Sequence, residues 1–154
     1  MITNVLENVS YKDMVEEHIY EVMEYLINND YEFSITVNID GISFNPDIPK
    51  AISKGFSKFT VFALANYTYS SIVLTEDNIS FEAGFGSENF GSVVTVPLFA
   101  VFQIVLDDSI LFLNPTATID KFFEKSKPLD KKQTHEERSR NAFSMNKKNK
   151  NLLK

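Results

Sequence analysis

The chain of 154 residues contains no cysteine and no tryptophan, only two histidines, and just five glycines and five prolines. Without cysteine there is no disulfide scaffold, no thiolate zinc site, no iron–sulfur cluster and no thiol nucleophile. His18 and His135 stand far apart, and neither lies in an HxH or HExxH context, so a histidine-built metal site is not expected. Residues 1–123 have no arginine; Arg138 and Arg140 come later. Arginine clamps for oxyanions or phosphates are therefore not expected in that stretch. No apolar run reaches the length of a membrane-spanning helix. The opening Met1-Ile2-Thr3-Asn4 lacks the basic and apolar regions of a secretion signal. A cytoplasmic protein is the expectation.

Catalytic motifs are equally scarce. Gly84-Phe85-Gly86 followed by Gly91 does not spell GxGxxG and opens no helix pattern. There is no GxSxG elbow and no Walker sequence. Asp107-Asp108 fits either a turn or acid–base work. With nucleophile, metal and acid–base sets missing, neither an enzyme nor a cofactor is expected.

What is present is a core-forming composition with an uneven charge. Hydrophobic residues make up 44% of the chain, with 14 Phe and 6 Tyr. That suffices to bury a core for a body of roughly 120 residues. The net charge of −6 divides into five basic against 17 acidic residues in 1–123, and ten basic against four acidic in 124–154. The body is thus −12 and the remainder +6. An anionic body repels a phosphate backbone, so nucleic acid is not the expected partner.

Two periodicities organise the body. Val15, Ile19, Val22, Met23 and Leu26 recur at helical spacing between Ser10 and Ile27, with Ser10 and Asp13 resembling a capping pair. Glu16, Glu17, Glu21 and Glu24 form the face expected in solvent, and Tyr11, Met14 and Tyr20 fit either the core or a dimer seam. Phe33, Ile35, Val37 and Ile39 then alternate with polar residues, as in a half-buried strand. Asp40-Gly41 signals a turn into Ile42-Ser43-Phe44, a possible partner strand. Further strands are predicted at 59–65, 72–75, 79–85, 92–96 and 110–113, while 98–106 fits helix or strand. The chain reads as mainly β with an N-terminal helix, a small barrel or sandwich.

From Glu124 onward only six apolar side chains remain. Residues 124–150 are expected to be a disordered linker, whose ends would lie about 30 Å apart on average. Asn151-Leu152-Leu153-Lys154 is either a frayed end or a short docking peptide. In the body, Phe81-Glu82-Ala83-Gly84-Phe85-Gly86 sets small residues between two phenylalanines. An extended peptide could lie above that backbone, or the segment could be ordinary core alternation with a β-bulge near Gly84.

Several of these segments resemble the SspB family of bacterial proteolysis adaptors. The resemblance runs through Ile19–Leu26, Phe33–Asn38, Asp40-Gly41-Ile42, Leu74–Gly86 and Val94–Val101, and covers about residues 14–113. The Phe81–Gly86 stretch is similar to the family's F-x-A-x-F-G-G, and Val94–Val101 to its V-x-V-P-x-x-A-V. Gly84 stands where the family often has Arg, Ser87 replaces the second Gly, and the basic 124–154 segment departs from a tail that is often acidic. The resemblance implies a small Sm-like or SH3-like open β-barrel, usually dimeric, with residues 1–123 as the substrate-binding and dimerisation domain. It implies binding of ssrA degradation tags and delivery to the ClpXP protease, with no cofactor. It assigns the groove to Phe81, Ala83, Phe85 and Gly86, with Leu64, Ala65 and Ile72 as neighbours. It assigns ClpX docking to Asn151, Leu152, Leu153 and Lys154, and a homodimer contact to the N-terminal helix. The rival expectation is an Sm-like nucleic-acid binder using the basic tail and exposed aromatics.

Overall fold

The helical stripe near the N-terminus forms as its spacing predicts. The computed structural model describes residues 2–124. A short helix α1 (Ile2–Leu6), not foreseen from the sequence, leads into α2 (Val9–Asn28). The N-cap of α2 is Asn8 rather than Ser10: its side chain accepts from the Ser10 N–H at 2.8 Å and the Tyr11 N–H at 3.3 Å. Asparagine two residues earlier satisfies the free amides first, so Ser10 is already helical. Val15, Ile19, Met23 and Leu26 are buried on one face, each stabilising the fold by about 1.5–3 kcal/mol. Tyr11 and Tyr20 join the core margin, whereas Met14 is 57% exposed.

The remaining strands arrange in two antiparallel sheets. In chain order, β1 (Phe33–Asn38), β2 (Ser43–Asn45), helix α3 (Lys50–Ser53), β3 (Phe59–Leu64), helix α4 (Asn66–Ser70) and β4 (Val73–Leu74) come first. They are followed by β5 (Asn78–Phe85), β6 (Phe90–Pro97), β7 (Val101–Leu106) and β8 (Ser109–Leu113). One sheet has the order β3-β1-β7-β8 and the other β2-β6-β5-β4. No hydrogen-bonded ladder joins them, so the described residues do not close into a barrel. The 98–106 segment divides: a 3₁₀ turn at Leu98–Ala100 precedes β7. Asp107 and Asp108 are exposed in the β7–β8 turn, with Asp107 at φ 56°.

Two expectations change at this level. Ile42–Phe44 does not pair with β1; the strand there, β2, bonds to β6 in the other sheet. The β5–β6 ladder runs unbroken from Asn78↔Pro97 to Phe85↔Phe90, so Gly84 carries no bulge and instead pairs with Gly91. Register shifts occur elsewhere, at Thr36/Val37 and Ile104/Val105.

Two buried amides fasten the segment after β8. Asn38 donates to the Ala117 carbonyl at 2.9 Å and Asn114 to the Val101 carbonyl at 2.8 Å. With both carboxamides bonded, their burial carries no unpaired-group penalty. Among the described residues no helix is long and apolar enough to cross a membrane. Apart from Glu124, the expected linker and terminal peptide lie outside the described residues.

Glu16 departs from the solvated face assigned to it. Its side chain is 19% exposed and lies 3.5 Å from the Lys12 ammonium, which sits 4.4 Å from the Phe99 ring centroid. Burial outweighs the lysine and pushes the carboxyl up to about 7. The folded chain therefore keeps this proton between about pH 4.5, where the unfolded chain loses it, and pH 7. Stability should fall across that window by roughly 2–3 kcal/mol from this site. Urea unfolding of Glu16→Gln should show a flatter pH profile from 5 to 8; a slope equal to wild type would mean the carboxyl is ionised when folded.

Candidate functional site

The site is built between two strand edges that, among the described residues, carry no strand partner there. β4 pairs with β5 only through Val73↔Ser80 and Leu74↔Ile79. Beyond that point the Glu82 N–H turns outward and donates to the Ser71 hydroxyl at 2.8 Å. Strand alternation then aims the main-chain groups of Gly84 at the same open edge. β3 is the outer strand of the other sheet. Just ahead of it, the Lys58 carbonyl accepts from the Ile39 N–H at 2.8 Å on the β1 side. By the same alternation, Val61 and Ala63 present theirs to the open side.

A hollow of about 330 Å³ lies between these edges, lined by Thr60–Ala63 of β3 and by Ala83–Phe85 of β5. A second hollow, of about 590 Å³, opens over the outer face of β5 and β6, past Glu82, Gly91 and Val93. Both are lined by Thr68, Ala83 and Gly84, so the two meet there as one furrow. Its floor is aromatic. Phe62 meets Phe81 at 5.5 Å and Phe85 at 6.3 Å between ring centroids, and Phe85 in turn meets Phe44 and Phe56.

The residues assigned from sequence are distributed unevenly around this furrow. Ala83 and Phe85 line it, both half-buried, and the 1% exposed Phe81 lies beneath it. Leu64 lines neither hollow, because strand alternation turns it into the core at 0% exposure. Ala65, ahead of α4, also lines neither hollow. Ile72 faces a separate depression beside Tyr20 and Glu24 of α2. Gly86 stands outside it in the β5–β6 turn, at φ +77°.

Four contributors were not singled out from the sequence. Tyr67 reaches from α4 to donate its hydroxyl to Glu82 Oε1 at 2.7 Å, a bond that raises the phenol above its ordinary value. Asn89, itself at φ 54°, folds its amide over Gly84, where an added Cβ would collide with Asn89 Oδ1. Thr68 lines both hollows. The alternation of 79–85 was the available signal for Glu82, since it opposes Phe81 across the strand; nothing local marks α4 or Asn89. Among the described residues no three metal-ligating side chains gather.

The hairpin can be tested through its glycines. Gly86→Ala adds a Cβ in left-handed backbone and 3.0 Å from Ile52 Cδ1, which should cost about 1–2 kcal/mol of stability. Gly91→Ala meets nothing within 4 Å and should be neutral or slightly stabilising. Thermal unfolding of both variants checks the contrast; equal losses would refute this turn. No protein-family model matches the chain, and no curated protein matches it.

Proposed function

We propose that this chain is a proteolysis adaptor of the SspB type, which holds an ssrA-type tag in its body and hands the tagged protein to ClpXP through residues 151–154. The observation that carries this reading is the furrow at Ala83–Gly84, flanked by two strand edges to which no further strand bonds among the described residues. An extended peptide laid there gains main-chain hydrogen bonds from an edge, with side-chain pockets adding selectivity. On this reading the two sheets are an opened Sm-like or SH3-like barrel, with the peptide beside the opening. Its place of work is the cytoplasm.

The mechanism is tethering and needs no covalent step. The tag is held by the furrow and the unfoldase by Leu152-Leu153-Lys154. Carrying both sites on one chain makes the second encounter intramolecular, at effective concentrations near the millimolar scale for short linkers. A homodimer would present two such ends to one motor. An apolar patch supports that dimer: Tyr25 of α2, Tyr31 and Leu111 of β8 line one hollow and are 44–60% exposed, and β8 is an outer strand. Such a patch marks an interaction surface.

Deleting Asn151–Lys154 should leave tag binding intact and abolish accelerated ClpXP degradation of a tagged substrate. Ala83→Gln should instead lower tag affinity at least tenfold by filling the furrow, and delivery should fall with it. Continued acceleration without the last four residues, or unchanged affinity in Ala83→Gln, would refute tether and groove respectively. For the dimer, sedimentation of Leu111→Glu should give a monomer where wild type gives a dimer. A monomeric wild type would remove that part of the reading.

A further inference from the structure

The furrow carries one full charge. Among the residues lining its two hollows, Glu82 alone has an ionised side chain, and none is basic. Its carboxylate is exposed. One oxygen is held by the Tyr67 hydroxyl at 2.7 Å, and among the described residues no donor takes the second. Glu82 takes part in none of the ion pairs among the described residues, where Lys12, Lys58 and Lys121 pair with other carboxylates. The surrounding body, at −12, adds a long-range field of the same sign.

The neighbourhood of Glu82 is small-sided. Ala83 and Gly84 border the furrow, and a Cβ placed on Gly91 would meet nothing within 4 Å. Asn45 and Asn89 supply uncharged amides at its margin.

We infer that the furrow selects an extended peptide with a lysine or arginine opposite Glu82, and disfavours one with an acidic residue there. This rests on the tag-binding reading above and specifies the chemistry of the tag. The cation would take the free carboxylate oxygen, while the peptide main chain follows the β5 edge.

The test uses the full chain and fluorescein-labelled hexapeptides Ala-Asn-Lys-Asn-Ala-Ala, with Gln or Glu in place of Lys in two companions. Anisotropy should give the lysine peptide about a tenfold advantage over the glutamate peptide at low salt, shrinking as salt screens the pair. Glu82→Gln, which keeps the acceptor for Tyr67, should reduce that ratio to within about twofold, and Glu82→Lys should invert it. Because 124–154 is the same in every variant, its own pull on the peptides cancels from the comparison. A ratio unchanged in Glu82→Gln overturns the inference. Equal binding of all three peptides, abolished by Ala83→Gln, overturns the charge selection and leaves the groove standing. Binding of no peptide, or binding indifferent to Ala83→Gln, brings down the groove reading itself.

Discussion

Phe62 is the joint of the molecule. It projects from the outer strand of one sheet and meets Phe81 and Phe85 of the other. No main-chain ladder joins the two sheets, so side-chain packing carries the contact between them. Aromatic pairs suit this task because each buries a large area in an offset or edge-to-face geometry. A joint made by side chains leaves the facing backbone edges of β3 and β5 without a ladder between them among the described residues, and those edges flank the furrow. One constraint thus serves both stability and the candidate site.

Charge is distributed with similar economy. The body has five lysines, and three of them are committed to carboxylates on α2, between α1 and α2, or in the turns beside β1 and after β8. The Lys12–Glu16 pair shows the conflict between pairing and burial: the aromatic cover that holds the lysine also strips water from the carboxyl. Glu82 has no such cover. A carboxylate on an open surface stays available to a ligand, whereas a covered one is drawn into its own proton equilibrium.

Much of the fold was legible along the chain. The stripe Val15–Ile19–Met23–Leu26 and the alternation of Phe33–Val37 each report a local period with a face buried against the core. The strands predicted at 79–85 and 92–96 form with slightly wider limits, 78–85 and 90–97, where alternation is bounded by turn residues. Local pattern misled where the partner lay far away. Ser43–Asn45 follows a turn signal yet bonds to β6, because adjacency in sequence does not decide which edge is free. The resemblance placed Leu64, Ile72 and Gly86 with Ala83, but the core-facing side of β3, a depression beside α2 and the β5–β6 turn hold them elsewhere.

The sequence by itself determined the long helix α2, most of the strands, the anionic body and the small residues at 83 and 84, because periodicity, charge and side-chain size are properties of neighbours on the chain. Only the tertiary structure decided that β3 and β5 face each other unpaired, that Tyr67 holds Glu82, and that Asn89 covers Gly84. Those relations depend on which strands exhaust their hydrogen-bonding partners and which run out of them. That competition is settled among residues far apart in sequence, and no window along the chain contains it.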